Sequence, residues 1–179
     1  MDELSRNEIV KAGNDFIRFI ESRAEENYSS VELIKKAIDV ICGNEVNIQE
    51  RGWAGHFIGS HWCRFRRNTL ITKGEKHVVV STVGNYHPRD CTETSEVGVG
   101  RYYETMVFEG RQYGEYIDID VERELSEYFD GLYYKSPQDI PDNVDNLADD
   151  MHEAIVASVV KAMNDNTLPS PRKPYDDED

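Results

Sequence analysis

The sequence predicts an α+β domain with an N-terminal helical hairpin, a mostly antiparallel sheet of about five strands, and a C-terminal helix packed on the sheet. Apolar residues recur at helical spacing near both ends of the chain, whereas the middle alternates apolar and polar residues with the period of two typical of strands. At 179 residues, 39% of them hydrophobic, the chain can bury the core of one domain, which we assign to residues 1–165.

The predicted helical hairpin covers residues 6–42. Two capping-box patterns, Ser5-x-x-Glu8 and Ser29-x-x-Glu32, mark where its two helices begin. Apolar residues follow each box at spacings of three and four, and a glycine closes the second helix. Two amphipathic helices joined by a short polar link are therefore expected before the sheet.

The predicted sheet covers residues 45–121. Cys63–Thr72 and Lys76–Val83 are predicted as the strands of a hairpin, because Lys73-Gly74-Glu75 between them is a compact turn signal. The segment Trp53–Ser60 is short and contains two glycines, so it is predicted as a strand or a strand with a bulge.

A second hairpin is predicted from Arg101–Phe108 and Glu115–Val121, linked by residues 109–114. Apolar and acidic residues alternate in its second strand, so we expect the acids to form a solvated or salt-bridged face. Residues 84–100 form a long polar loop, a feature that is often functional or mobile. Residues 122–143 are rich in aromatic and acidic side chains and predict no regular element.

The C-terminal helix is predicted over residues 143–163, because apolar residues recur there every four positions. Aspartates in its first turns stabilise the positive end of the helix dipole. His152 and Glu153 lie off the apolar stripe and are expected on the surface, although the helix could bring them near the sheet. Residues 166–179, proline-rich and then acidic, are predicted as a disordered acidic tail.

Charge is divided along the chain, whose formal net charge is −15. Residues 113–179 carry 18 acidic and 5 basic side chains, whereas residues 51–89 carry seven basic side chains and one acidic one. Overall acidity disfavours direct binding to nucleic acid, because like charges repel the phosphate backbone. Without an apolar run of roughly 20 residues, a secretory signal or a paired set of cysteines, we expect a cytoplasmic protein with no membrane contact.

The stretch RGWAGHFIGSHWCRFRRNT, residues 51–69, gathers side chains that can stack, titrate and bind an anion. One hypothesis is a small enzyme or ligand-binding protein that acts on phosphorylated or nucleotide material, because arginine forks match phosphate oxygens and histidine titrates near neutral pH. No glycine-rich phosphate loop or nucleophile elbow accompanies these residues, so their spacing fixes no mechanism. The residues of this hypothesis are His56, Arg66, Arg67, Asn68, Arg101 and Glu104.

The same arginines have a structural interpretation, which we favour. Opposite charges commonly pair across neighbouring strands, so the arginines are expected to pair with Asp118, Asp120 and Glu122. Aromatic residues interleaved with this basic window also resemble a surface that stacks bases, although aromatics at strand spacing more often belong to the core.

A zinc site is a weaker alternative. On a strand, His61 and Cys63 would project from one face, and His87 and Cys91 of the long loop could complete a tetrahedral set. The spacing lacks the compact Cys-x2-Cys pattern of strong zinc motifs, so no cofactor is expected.

The favoured functional interpretation is a protein-binding surface in the acidic third of the chain. Aromatic anchors surrounded by charge are typical of the residues that dominate binding energy at interfaces. A dense carboxylate surface can dock on the basic groove of a nucleic-acid-binding protein and compete there with DNA or RNA. The residues assigned to this surface are Asp118, Asp120, Glu122, Tyr128, Phe129, Tyr133 and Tyr134.

At RGWAGHF, FRRNTL, VVVSTVG, RYYETMVF and MHEAIV the chain resembles a group of small uncharacterised proteins from phages and other mobile elements of Gram-positive gut bacteria. The resemblance covers roughly residues 51–156 and brings no catalytic residues to transfer. It implies a context, because short acidic proteins of mobile elements are often inhibitors of host defence, such as anti-CRISPR or anti-restriction proteins. The preferred expectation is therefore a non-enzymatic acidic binding protein.

Overall fold

The computed structural model describes three stretches of the chain, residues 45–52, 55–89 and 91–172, and four isolated positions near the N-terminus. The chain divides into two compact units, residues 1–46 and residues 47–179. The predicted helical hairpin lies outside the described residues apart from the isolated positions, so it stays a prediction, as does a single domain over residues 1–165.

The second unit confirms the predicted α+β class, because an antiparallel sheet packs against one C-terminal helix. The sheet has six strands where about five were predicted, in the order β1-β2-β3-β4-β5, and β6 pairs with the first half of β4. The elements are β1 Asn47–Glu50, β2 Cys63–Lys73, β3 Lys76–Tyr86, β4 Arg101–Tyr113, β5 Tyr116–Glu124, β6 Asp130–Tyr133 and the helix α1 Val144–Asp165.

The two central hairpins follow the sequence patterns with one correction. The β2–β3 hairpin turns where it was predicted, with Lys73 paired to Lys76. The link predicted over residues 109–114 is wrong, because β4 continues to Tyr113, which pairs with Tyr116. Gly114 has φ of +60°, a conformation that glycine adopts without strain, so two residues suffice to reverse the chain.

The strand predicted over Trp53–Ser60 is also corrected. Trp53 and Ala54 lie outside the described residues, and Ile58–Trp62 is a 3-10 helix that leads into β2. A Cβ atom on Gly55 would lie 2.3 Å from the Ser60 Cβ atom, so this glycine allows the coil to fold closely on itself. The glycines therefore reflect tight packing of a connecting segment rather than a bulged strand.

The helix α1 covers one face of the sheet, the helix face, on which Val80, Thr82 and Val107 are buried. At one end, Val144, Ala148 and Met151 pack against Tyr102 and Tyr103. At the other end, the Lys73 ammonium donates to the main-chain oxygen of Met163 at 2.8 Å, where the last carbonyls of the helix lack intrahelical partners. Because side chains alternate along strands, Asn68, Ser81 and Glu104 belong to the opposite face.

The sheet curls around this opposite face. The guanidinium of Arg51, which follows β1, donates through Nε to Asn68 Oδ1 at 2.8 Å and through Nη1 to the main-chain oxygen of Ile117 on β5. In a flat sheet β1 and β5 would lie four spacings of about 4.8 Å apart, beyond the reach of one side chain. The contact therefore requires curvature, which makes the opposite face concave.

Residues 167–172, the first part of the predicted tail, run back along the sheet after α1. The main-chain nitrogen of Arg172 donates to the oxygen of Glu124 at 2.8 Å. Residues 168–171 line one side of a cavity of about 370 Å³, and Lys76, Glu109 and Arg123 are among the residues that line the other side. Residues 173–179 lie outside the described part of the chain.

No helix among the described residues has the length and apolar character of a membrane span.

Candidate functional site

Three of the residues predicted for an anion-directed site converge on the concave face. The Glu104 carboxylate accepts from His56 Nε2 at 3.1 Å through one oxygen and from Arg101 Nε at 2.8 Å through the other. On its far side, His56 Nδ1 lies 3.0 Å from the hydroxyl of Ser81. The imidazole therefore bridges a hydroxyl and a carboxylate, and we call Ser81, His56, Glu104 and Arg101 the His56 cluster.

The charges of the His56 cluster compensate one another. Burial acts to raise the pKa of Glu104, but the hydrogen bonds from His56 and Arg101 hold it below its ordinary value. The carboxylate is therefore an acceptor at both oxygens, so His56 Nε2 carries a proton and Nδ1 can accept the proton of the Ser81 hydroxyl. Arg101 also lies 5.0 Å from the ring centroid of Phe129, within cation–π range.

The His56 cluster is closed to solvent at its centre. Ser81 is fully buried, and the side chains of His56 and Glu104 are 3% and 6% exposed. A hydroxyl beside a carboxylate-oriented imidazole is the pattern of an activated nucleophile, yet a nucleophile must be reached by its substrate. As it stands, the geometry is that of a satisfied buried polar network.

Of the remaining residues of that hypothesis, Arg67 lies on the other face of the sheet from the His56 cluster, whereas Asn68 pairs with Ser81 across β2 and β3. Arg67 points to the helix face, where it pairs with Glu50 at 2.7 Å, Asp149 at 3.3 Å and Glu153 at 2.7 Å. Asn68 is buried and accepts from Arg51. Arg66 is half-buried on the concave face and makes no ion pair with the described residues.

The expected pairing of these arginines with Asp118, Asp120 and Glu122 is corrected by these contacts. Among the strands that the structure describes, β5 pairs with β4 alone, so β3 and β4 separate its acids from β2. The carboxylates that hold Arg67 and Arg101 come instead from β1, α1 and β4. Both arginines have pKa values raised by these carboxylates despite the opposing effect of burial.

His152 was predicted on the surface, and the structure buries it completely between α1 and the sheet. Its Nε2 lies 2.7 Å from Thr69 Oγ1 and its Nδ1 lies 2.7 Å from Thr82 Oγ1. Thr82 in turn lies 2.7 Å from Thr105 Oγ1. Sequence reasoning missed this group because the threonines occupy three different strands, which only the sheet register brings together.

The hydrogen bonds around His152 have one consistent direction. Thr69 donates to the Glu50 carboxylate at 2.9 Å, so its oxygen accepts from His152 Nε2–H. Nδ1 then accepts from Thr82, whose oxygen accepts from Thr105. Burial, and next the Arg67 guanidinium, lowers the pKa of His152 to about 4. The neutral imidazole therefore joins the helix to the sheet at physiological pH.

The acidic residues predicted for partner binding lie on β5. Asp118 and Glu122 are exposed, and Asp120 is half-buried. Between the pairs Gly110–Ile119 and Phe108–Glu124 the register shifts, so residues 120–123 bulge from the sheet. Asp118 and Asp120 also accept from the main-chain nitrogens of Ile119 and Glu122, which blocks those donors to an incoming strand.

The aromatic residues predicted as anchors are mostly held within the fold. Phe129 lies against Arg101, the Tyr134 ring lies 6.2 Å from that of Tyr102, and burial raises the pKa of Tyr128. Tyr133 alone among the four is largely accessible, at 59%.

Three exposed apolar side chains beside the acids were missed by sequence reasoning. Tyr113 is 50%, Tyr116 77% and Val121 64% exposed. The two tyrosines flank the β4–β5 turn. Had the turn been predicted at Gly114 alone instead of over residues 109–114, both tyrosines would have been placed on strands beside Asp118. We call Tyr113, Tyr116, Asp118, Val121 and Glu122 the hairpin surface.

The candidate zinc ligands are not gathered into a site. His61 lies in the 3-10 helix, its Nδ1 3.1 Å from the main-chain oxygen of Ile58, so the same-face argument for a strand fails. Cys63 is buried, and burial raises the pKa of its thiol to about 11, which disfavours a thiolate ligand. His87 contacts Asn85 and Thr94, and Cys91 contacts Glu93. Within the described stretches, no three His, Cys, Asp or Glu side chains are placed to hold a metal.

Comparison of the chain with protein families, with curated proteins and with solved structures found no match.

Proposed function

We propose that this chain is a non-enzymatic acidic binding protein that docks on a basic surface of another protein through the hairpin surface. The observation that carries the proposal is the exposure of Tyr113, Tyr116 and Val121 beside the carboxylates of Asp118 and Glu122. Exposed aromatic and aliphatic side chains next to charged residues are typical of interaction sites, where tyrosine supplies contact area at low conformational cost.

Charge indicates the class of partner. Residues 113–179 have a large excess of acids. A basic groove that binds nucleic acid is the complementary surface, because carboxylates can occupy the positions of phosphates. Together with the resemblance to proteins of mobile elements, this supports an inhibitor of a host defence nuclease complex, of anti-CRISPR or anti-restriction type, acting in the bacterial cytoplasm.

The internal pairing of the basic residues supports a non-enzymatic role. Arg67 and Arg101 are neutralised by carboxylates of the same chain, and the Ser81 hydroxyl is buried. Substrate phosphates would have to displace those carboxylates, at the cost of leaving them unpaired.

A second candidate, a small enzyme or ligand-binding protein acting on phosphorylated or nucleotide material, is favoured by the convergence of His56, Arg101 and Glu104. Incubation with p-nitrophenyl phosphate and p-nitrophenyl acetate tests its enzymatic form. The preferred function predicts no turnover. Turnover by the unaltered protein that is lost in folded His56→Ala would establish the second candidate instead.

The preferred function is tested by affinity capture from bacterial lysate, with the immobilised chain and its Asp118→Lys/Glu122→Lys variant. We expect the unaltered chain to retain a basic protein that added duplex DNA releases, because the two compete for one groove. The variant should retain none of it, because like charges then meet.

The matched control is Glu93→Lys/Asp150→Lys, which changes net charge equally at two exposed positions whose side chains bond to no other described residue. It should capture the same protein as the unaltered chain. Equal capture by all three proteins, or equal loss by both variants, would contradict recognition through the hairpin surface.

A further inference from the structure

A second accessible surface lies at the start of β2, where the 3-10 helix presents side chains that the fold leaves uncovered. Ile58 is 98% and Trp62 39% exposed, and the ring of His61 lies 4.9 Å from that of Trp62. The segment is anchored, because the main-chain oxygen of Trp62 accepts from the nitrogen of His87 at 3.1 Å. We call Ile58, His61, Trp62 and Arg64 the Trp62 patch.

The Trp62 patch has an uncompensated positive charge. Arg51, Arg67 and Arg101 are bonded within the fold, whereas the exposed Arg64 has no carboxylate partner in the described stretches. The positive charge of Arg64 acts on His87, because burial and next Arg64 lower the pKa of the His87 imidazole. The effects that oppose this shift are main-chain hydrogen bonds, and no carboxylate contributes to them. The basic window therefore keeps its charge at this end of the sheet.

We infer that the Trp62 patch binds single-stranded nucleic acid, with Trp62 and His61 stacking on bases and Arg64 contacting a phosphate. Aromatic rings beside a basic side chain are the elements of a sequence-tolerant single-strand site. Unpaired bases are required, because the faces of paired bases are occupied by their neighbours in a duplex. A purely acidic peptide would satisfy Arg64 but would leave the exposed rings without stacking partners.

The acidity of the whole chain weakens this binding without preventing it. At physiological salt the Debye length is about 8 Å, so exposed acids further away than this are largely screened. The Trp62 patch belongs to the 3-10 helix and β2, whereas the hairpin surface lies at the β4–β5 turn and on β5. The two sites are therefore tested separately, and the failure of one leaves the other standing.

The test is fluorescence anisotropy of a fluorescein-labelled 20-mer of thymidylate, titrated with the full chain at several salt concentrations. We expect saturable binding that Trp62→Ala weakens by about 10-fold or more, the loss of one stacked base. Arg64→Ala should weaken binding and reduce the salt slope by about 0.7, the release of counterions from one single-strand phosphate. Both variants should keep the circular dichroism of the unaltered chain.

Tyr116→Ala and Arg111→Ala, an aromatic and an arginine exposed elsewhere on the sheet, are the matched controls and should bind the 20-mer as the unaltered chain does. Polyglutamate should compete poorly, because it offers charge without bases. Absence of saturable binding, equal loss in the controls, or equal competition by polyglutamate would each overturn the inference.

Discussion

The side chains of two histidines are buried on opposite faces of one sheet, and they differ in their contacts with carboxylates. His56 on the concave face contacts the carboxylate of Glu104 directly, at 3.1 Å. His152 on the helix face contacts two threonine hydroxyls, and its nearest carboxylate, Glu50, lies 3.9 Å away. The first face therefore holds a charged network with Arg101, whereas the second holds a neutral hydroxyl–imidazole chain.

The comparison shows how this chain distributes charge. On both faces the carboxylates that meet the basic middle of the sequence come from the same chain, through Glu104 on one side and Glu50 with the acids of α1 on the other. The acids of β5 make no ion pair within the described residues, although Asp118 favours the charged form of Arg51 and Asp120 that of Arg123. An acidic surface remains on β5 once Arg67 and Arg101 have been paired with other carboxylates.

The largest expected effect tests the charged network. Glu104→Gln keeps the shape of the side chain but leaves the Arg101 charge without its partner, so the free energy of unfolding should fall by about 3 kcal/mol. Urea unfolding followed by circular dichroism measures this loss. The control is Glu109→Gln on the same strand, whose ion pair with Arg123 is more exposed and should contribute much less to stability. Equal losses in the two variants would show that the His56 cluster has no special role in stability.

A similar effect, dependent on pH, tests the neutral network. The folded-state pKa of His152 is about 4 and an unfolded histidine titrates near 6.5, so below pH 6.5 the unfolded chain binds a proton that the folded chain excludes. Stability is therefore complete above pH 6.5 and falls between pH 6.5 and 4, by about 3 kcal/mol in total.

Urea midpoints at pH 7, 6 and 5 measure this dependence, with His152→Gln as the variant that cannot titrate. Its midpoint should be lower at pH 7 and should change less with pH. The same slope in both proteins would mean that another group causes the pH dependence.

The smallest expected effect concerns the attachment of α1 to the sheet. Lys73→Met removes the ammonium that bonds to the last carbonyls of the helix, and it should lower stability by about 1 kcal/mol. Thermal unfolding measures the change. Lys161→Met, in an exposed ion pair with Asp165, is the control and should leave the midpoint unchanged. A larger shift in the control would contradict the assigned role of Lys73.

Periodicity predicted the elements whose faces differ clearly in polarity. The β2–β3 hairpin and α1 were located within a few residues, because their apolar spacing and turn signals are local properties of the sequence. The segment before β2 was misassigned because its glycines serve close packing, as at Gly55, and a strand with a bulge uses the same residues. Residues 122–143, for which no regular element was predicted, complete β5 and then form β6 between the 3-10 helices Ser126–Tyr128 and Pro137–Asp139.

The sites were predictable only in part. His56, Arg101 and Glu104 were selected by chemical type, and the register of β3 with β4, which pairs Glu104 with Val83, explains why Glu104 lies near Ser81. Neither Ser81 nor the threonines around His152 carry a local signal, because hydroxyl residues in strands are common and their partners lie far away in sequence. Whether His152 is buried depends on the rotation of α1 about its own axis. The apolar stripe of the helix defines this rotation too loosely to predict the burial of one residue.

The most direct test of binding through the hairpin surface is site-specific photo-crosslinking. Tyr116 is replaced by p-benzoylphenylalanine, and Leu147, 38% exposed on α1, is replaced in a second protein as the control. After irradiation in bacterial lysate, the proposal predicts that position 116 crosslinks to a basic protein, that duplex DNA suppresses this crosslink, and that position 147 gives none. Crosslinking from position 147 without crosslinking from position 116 would contradict it.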